Sequence, residues 1–301
     1  MIHKKGDKTD PANYRGITLI NTITKIFTSW REIFGIFVDF QRAFDSVPHT
    51  LLWEKLYRLS LSTKFINTIK SLYNESSLQV KGMESKSNVF EVTEGVLQEE
   101  ALSLDLFLLF IADIEHLFRS KGLYSLSING LTDILMLLYA DDTVIFAHSP
   151  IDLLRKLRML EEYCDASGLT ANKSKAKIVT FKAAERIRDC TPQYRMYKGS
   201  CLEIVKSYSY LGVNISTSTK GLIPLQTAIS KAKCASGAAM SILARARYDS
   251  WEAYNKIFET MVESVFLYTF PAWNLWYRNS LEPVQTYFCK KLFKLSRNSA
   301  D

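Results

Sequence analysis

The stretch IFGIFVDF, from Ile33 to Phe40, constrains the fold more than any other part of this chain. It is apolar without alternation, rich in β-branched and aromatic side chains, and interrupted only by Gly35. A strand with that pattern offers no face to water, so it belongs inside a sheet with cover on both sides. It also ends by delivering a carboxylate, Asp39.

A second stretch, LLYADDTVIFAHS from Leu137 to Ser149, sets Asp141 and Asp142 between two apolar runs. On its own, an Asp-Asp pair reads as turn chemistry, because aspartate bonds its own backbone and tolerates left-handed conformations. The flanks argue for more. LLY and TVIF are strands of a buried hairpin, which holds the acidic tip against the protein body. Two carboxylates that close repel, and one is pushed toward its neutral form unless a cation joins them. An antiparallel neighbour of the Ile33–Phe40 strand would bring Asp39 within reach of the same tip. Three converging carboxylates, with no histidine or cysteine among them, suit a hard, oxygen-preferring ion such as Mg²⁺. A pair of such ions is the usual device for phosphoryl or nucleotidyl transfer.

The remaining pattern supplies helices and further strands. Leu51, Leu52, Leu56 and Leu59 form one apolar helical face, and Phe65, Ile66, Ile69, Leu72 and Tyr73 another. Residues 78–96 resemble a hairpin, and LSLDLFLLFIADIEHLF (102–118) is apolar all round its axis, as expected of one helix buried under a sheet. Residues from Ser125 to Ser149 read as strand, turn, strand, turn and strand. A helix then carries Leu154, Leu157 and Leu160, with Ser149 as N-cap, Pro150 at its first position and Gly168 as its stop. Asp45 or Ser46 is a candidate cap for a helix beginning near Pro48, which leaves Asp45 outside the catalytic set. Strands return at Lys177–Phe181 and Tyr208–Ile215. From Leu222 the pattern is helical, with Trp251, Phe258, Trp273 and Trp276 as anchors. The fold class is α+β, with a boundary near residue 216.

Composition narrows the partners. The 301 residues carry a formal charge of +7, which favours a polyanion such as nucleic acid over an acidic partner. Lysine and arginine cluster at Arg155-Lys156-Arg158, Lys173-Lys175-Lys177 and Lys290-Lys291-Lys294; each is a candidate phosphate contact or simply a solvated face. The five scattered cysteines make no zinc or disulfide pattern, and a reducing, intracellular setting fits them best; nucleus and/or cytoplasm is the expected location. No apolar run approaches the roughly 18 residues of a membrane span, so no membrane partner is expected. Neither G-x-G-x-x-G nor a Walker pattern occurs, which argues against an unrelated nucleotide phosphotransferase.

Five segments in order, FVDFQRAFDSVPH (37–49), GVLQEEALSLDLF (95–107), YADDTVIF (139–146), GLTANKSKAKIV (168–179) and YLGVNIS (210–216), resemble motifs A to E of reverse transcriptases, especially those of non-LTR retrotransposons. The opening KKGDKTDPANYRGITLINTITKIF resembles the fingers segment before motif A, so the resemblance covers nearly the whole chain. It implies a right-hand polymerase: partial fingers at 1–36, an antiparallel-sheet palm packed on helices at 37–215, and a helical thumb at 216–301. It implies an RNA-directed DNA polymerase that uses Mg²⁺, an RNA template, a DNA primer and deoxynucleoside triphosphates. Asp39, Asp141 and Asp142 correspond to the metal-binding catalytic aspartates, Asp39 and Asp141 above all. Phe44 matches the aromatic that excludes a 2′-hydroxyl, Gln98 the polar residue near nucleotide and template, and Lys175 the lysine near the triphosphate. As residues alone, Gln98 and Lys175 read equally as a loop glutamine and a surface lysine. Tyr210, Leu211 and Gly212 resemble the primer-grip hairpin.

Two departures stand out. Only TSWREIFGIFV separates Phe27 from Asp39, which is too short for the family's nucleotide-gripping fingers strands. The usual Gln-Gly of motif B reads Gln98-Glu99, adding negative charge where a polyanion must lie. The expectation is therefore a degenerate or truncated copy, or an imperfect gene model, and the competing reading is an inactive remnant that keeps at most nucleic-acid binding.

Overall fold

Burial of both faces makes the Ile33 run central. Strand β1, Ile33–Asp39, is buried from Ile33 through Val38 and half-buried only at Asp39. It is the middle strand of a five-stranded sheet. The computed structural model describes residues 2–3, 14–15, 32–74, 77–79, 82, 86–91, 94–96, 101–124, 126–128, 132–181, 190–217, 222–246, 250–268 and 282–296. The chain divides into two compact units, one made of Ile33–Ile178 and Arg188–Ile204, the other of Met1–Glu32, Val179–Ile187 and Val205–Asp301.

In the first unit, α1 (His49–Arg58) buries Leu52 and Leu56. Leu59 falls at its C-cap and is exposed. Its N-cap is Pro48, with no side-chain cap. Ser46 instead closes a preceding turn, its N–H donating to the Arg42 carbonyl, so neither Asp45 nor Ser46 caps this helix. Helix α2 (Thr63–Asn74) buries Ile66, Ile69 and Tyr73, whereas Phe65 and Leu72 are exposed. Each of those two precedes a buried position by one residue, about 100° around the axis, so the apolar face is narrower than expected. Two-residue strands β2 (Ser77–Leu78) and β3 (Phe90–Glu91) pair antiparallel as the hairpin-like pattern predicts.

The apolar stretch 102–118 is two helices, α3 (Ala101–Ile111) and α4 (Ile114–Ser120), where one was expected. The Lys55 ammonium explains the break. It donates to the Phe110 carbonyl at 2.8 Å and to Asp113 at 2.8 Å, holding the junction with charged bonds. Phe110 thereby has an acceptor's partner other than the next turn of helix.

Strands β4 (Leu126–Ile128) and β5 (Thr132–Ile134) form a hairpin, followed by β6 (Met136–Tyr139) and β7 (Asp142–Ala147), which pair antiparallel. Helix α5, Pro150–Ser167, has the expected ends: the Ser149 hydroxyl accepts from the Asp152 N–H, Pro150 opens the first turn, and Gly168 closes it with a left-handed φ of 71°. Next come β8 (Lys177–Phe181), which begins at the end of this unit's first segment, the short pair β9 (Met196–Tyr197) and β10 (Ser200–Cys201), and β11 (Glu203–Val205), which runs to the unit's last residue and one beyond. The five-stranded sheet runs β11-β8-β1-β7-β6. Phe34, Ile36 and Val38 of β1 share a core with Phe107, Phe110 and Leu157 from the helices.

In the second unit, β12 (Ser207–Tyr210) and β13 (Val213–Ser216) form a tight hairpin ahead of α6 (Leu222–Ala246), α7 (Trp251–Ile257), α8 (Ser264–Tyr268) and α9 (Glu282–Leu292). A wider, π-type turn at Phe258–Glu263 joins α7 to α8. The helices pack around Ala228, Ala232, Phe258, Phe266, Val284 and Phe288. Trp251 is not an anchor: it is exposed and stacks on Phe293 at 6.3 Å. Trp273 and Trp276 lie outside the described residues. Among those described, no helix is long and apolar enough to cross a membrane.

Candidate active site

Strand register places the acidic residues. β1 pairs antiparallel with β7 from Phe34↔Ala147 to Asp39↔Asp142. Directly opposed residues on neighbouring strands point to the same face, with Cβ atoms about 4.5–5.5 Å apart. Asp142 also pairs with Tyr139 across the β6–β7 hairpin, which leaves Ala140 and Asp141 as the two-residue turn. Ala140 takes a φ of 52°, a left-handed conformation that costs an L-residue about 1–2 kcal/mol. Asp39, Asp141 and Asp142 are all half-buried at the head of strands whose bodies are apolar.

Their electrostatics follow from this crowding. The Asp142 carboxyl is pushed above the ordinary carboxylate range, first by burial, then by the charges of Asp141 and Asp39, with Lys175 offsetting part of the shift. Lys175 reaches Asp39 directly. Its Nζ lies 3.1 Å from one carboxylate oxygen and 3.3 Å from the other. The loop that carries it is tied to the end of β1: the Asn172 N–H donates to the Asp39 carbonyl at 2.7 Å, and the Gln41 N–H to the Thr170 carbonyl at 2.7 Å. The Asn172 side-chain oxygen accepts from the Ser174 N–H, the Ser174 hydroxyl and the Lys175 N–H. Sequence reasoning missed Asn172, although Asn-Lys-Ser is a recognisable side-chain-closed turn.

The loop after Asp39 is stitched to the segment preceding residue 97. Val96 N–H donates to the Phe44 carbonyl at 2.7 Å, Gly95 N–H to the Val47 carbonyl at 2.9 Å, and the His49 ring is hydrogen-bonded to the Gly95 carbonyl. Gly95 has a φ of 89°, and a Cβ there would stand 2.8 Å from the Asp45 carbonyl oxygen. Phe44 itself is half-buried, its ring 5.1 Å from that of Phe107 at the edge of the core. Gln98 and Glu99 lie outside the described residues. In the second unit, Tyr210 is buried and the turn Leu211-Gly212 takes two positive φ values, 48° and 73°, as a tight hairpin turn requires. Tyr268 donates to the Leu211 carbonyl and Lys231 to that of Gly212.

The basic clusters are less free than their composition suggests. Lys156 is wholly buried, bonded to the carbonyls of Phe146 and Tyr124 and to Asp152, so it offers nothing to a phosphate. Lys173 caps the Lys198 carbonyl and Lys177 pairs with Glu203. Lys291 lies over the Tyr287 ring.

Among the described residues, no group of three histidine, cysteine or acidic side chains stands ready to enclose a metal ion. The donor chemistry nonetheless fits one. Asp39, Asp141 and Asp142 offer only carboxylate oxygens, the donors that a hard divalent ion prefers.

Comparison with known proteins agrees with the resemblance read from the motifs. The family model described as "Reverse transcriptase (RNA-dependent DNA polymerase)" matches residues 3–215. The RNA-directed DNA polymerase from mobile element jockey of Drosophila funebris is 32% identical over 60% of this chain and 19% of its own length. The transposon TX1 149 kDa protein of Xenopus laevis is 25% identical over 84% of this chain and 18% of its own. The chain thus spans about a fifth of the length of these curated relatives. Among solved structures, the telomerase of Candida tropicalis, in complex with a fragment of telomeric RNA, aligns with a TM-score of 0.50 at 13% identity, over 97% of this chain and 46% of that one. That likeness concerns the fold alone, and it accords with a right-hand polymerase architecture of mixed helix and sheet. With ordered motifs, paired aspartates and a matching family model over most of its length, the chain belongs to the reverse transcriptase (RNA-dependent DNA polymerase) family.

Proposed function

We propose that this chain is the RNA-directed DNA polymerase domain of a non-LTR retrotransposon, adding deoxynucleotides to a DNA primer on an RNA template in an intracellular setting. The observation that carries the proposal is the Asp39↔Asp142 pairing with Asp141 at the adjoining turn. It sets acidic side chains from two distant motifs against one another, an arrangement that a bound divalent cation makes favourable. Asp39, Asp141 and Asp142 would hold Mg²⁺, which would supply activation of the primer 3′-hydroxyl and neutralisation of charge on the pyrophosphate.

The chain's own groups do the rest in this proposal. The rigid β1–β7 pair holds the carboxylates in register. Phe44 crowds the sugar pocket and favours deoxynucleotides, while its carbonyl bond to Val96 fixes the loop. Gln98 contacts nucleotide and template, and Lys175 serves the triphosphate. Residues 1–36 act as partial fingers, 37–215 as palm and 216–301 as thumb. Primer extension by the purified chain on RNA and DNA templates, beside Asp141→Asn, tests the proposal. Incorporation by the wild-type chain that Asp141→Asn abolishes is the expected result. Equal, background-level incorporation by both proteins refutes the polymerase assignment, and salt-dependent RNA binding alongside it identifies an inactive remnant. Activity confined to DNA templates refutes the RNA-directed part.

A further inference from the structure

We infer that Lys175 is a built-in placeholder cation, which holds both oxygens of Asp39 in the metal-free protein and must be displaced when a divalent ion binds. The inference rests on the proposal that Asp39 is a metal ligand, and goes beyond it by giving the lysine a role before any nucleotide arrives.

Three observations carry it. The Lys175 Nζ straddles the carboxylate, 3.1 Å from one oxygen and 3.3 Å from the other, so the side-chain acceptors of Asp39 face an ammonium. The pairing is held by the backbone: Asn172 grips the Asp39 carbonyl through its N–H and the Lys175 N–H through its side chain, which fixes both partners from one residue. An ordinary surface ion pair would join two exposed groups; here the lysine side chain is 63% exposed but Asp39 only 19%. The exposed partner is the one free to swing away.

The consequence is competition. A divalent ion and an ammonium cannot share the same carboxylate oxygens without strong repulsion, so binding the ion costs the Lys175–Asp39 pair. A partly exposed ion pair of this kind lowers the affinity for the metal alone by about two- to fivefold.

Isothermal titration of Mg²⁺ alone into the full chain tests this, with Lys175→Met, Lys175→Arg and Asp39→Asn beside the wild type. The expected results are about two- to fivefold tighter Mg²⁺ binding by Lys175→Met, wild-type affinity for Lys175→Arg, and loss of binding in Asp39→Asn. In parallel, amine-reactive footprinting read by mass spectrometry should show Lys175 more reactive once Mg²⁺ is added. Equal or weaker binding by Lys175→Met, with Asp39→Asn still deficient, overturns the placeholder while leaving the metal site standing. Wild-type binding by Asp39→Asn removes the metal-site reading itself, and the placeholder with it. Circular dichroism of each variant reports folding independently of the metal.

Discussion

Replacing Lys156 with methionine should be among the most damaging single changes in the first unit, although its neighbours in the sequence make it look like part of a solvated basic face. Its side chain is 0% exposed and its Nζ has three partners: the Phe146 carbonyl at 2.6 Å, the Tyr124 carbonyl at 2.8 Å and Asp152 Oδ2 at 2.9 Å. Burial pulls the ammonium below the ordinary lysine range, and the Asp152 bond and charge pull it back. Methionine keeps the volume and removes the charge. Among the described residues, the carboxylate of Asp152, itself buried, then retains the His148 backbone N–H at 3.1 Å and the His148 ring at 2.9 Å. Breaking one side of a buried ion pair costs about 3–5 kcal/mol, and the surviving histidine contacts place this case near the lower end. At roughly 2–4 °C per kcal/mol for a domain of this size, the melting temperature should fall by about 6–12 °C. Differential scanning calorimetry of Lys156→Met beside Arg155→Met measures it; Arg155 is exposed one residue earlier and should shift the transition little. Pairing Lys156→Met with Asp152→Asn should recover part of the loss. Equal, small shifts for Lys156→Met and Arg155→Met would refute the reasoning, because they would mean that the buried ammonium contributes nothing to the fold.

Further changes test the geometry of the site. Gly95→Ala combines a φ of 89° with a Cβ 2.8 Å from the Asp45 carbonyl oxygen, and should cost about 2–4 kcal/mol in chemical denaturation while loosening the Phe44 loop. Ala140→Gly relieves the left-handed strain at the turn and should stabilise the chain by about 0.5–1 kcal/mol. Asp142 has a carboxyl raised by burial and by two neighbouring carboxylates, so the folded state holds its proton more tightly than the unfolded chain does. Its contribution to stability is therefore full below the ordinary carboxylate pKa and is lost as pH rises through the raised value. Asp142→Asn should accordingly raise the melting temperature of the metal-free protein at neutral pH and have little effect in acid, as thermal scans across pH would show.

The sequence made the acidic centre legible because its signals are local and strong. Short unalternating apolar runs rich in β-branched and aromatic residues suit interior strands, and an Asp-Asp turn beside them shows where the charge lies. The caps of α5 were equally readable, since Ser149, Pro150 and Gly168 act through their own backbones. Contacts between distant segments were not. Lys175 meets Asp39 across 136 residues of sequence, and no local pattern encodes that pairing. The split of the 102–118 helix depends on Lys55, which belongs to another helix. Lys156 is the instructive case, because its signal was present. It follows Leu153 by three residues and precedes Leu160 by four, so it shares their buried face, and the flanking Arg155 and Arg158 drew attention to charge over periodicity.

The strand pair also explains how the protein tolerates three carboxylates in one place. Repulsion among Asp39, Asp141 and Asp142 could be relieved by sliding β7 one residue along β1. Such a slip would turn every side chain of the strand to the opposite face. β1 is buried on both faces, and β7 is buried from Thr143 through Ala147, so the slip would exchange the partners of large, closely packed residues such as Phe34, Ile36, Val144 and Phe146. Forcing large side chains into sites shaped for others costs about 1–3 kcal/mol each, and six register pairs are involved. An exposed or half-buried charge repulsion is worth less than even two such residues. The apolar register thus locks the acidic ends together, and the charge problem has to be solved by a cation, with Lys175 in that position in the metal-free protein.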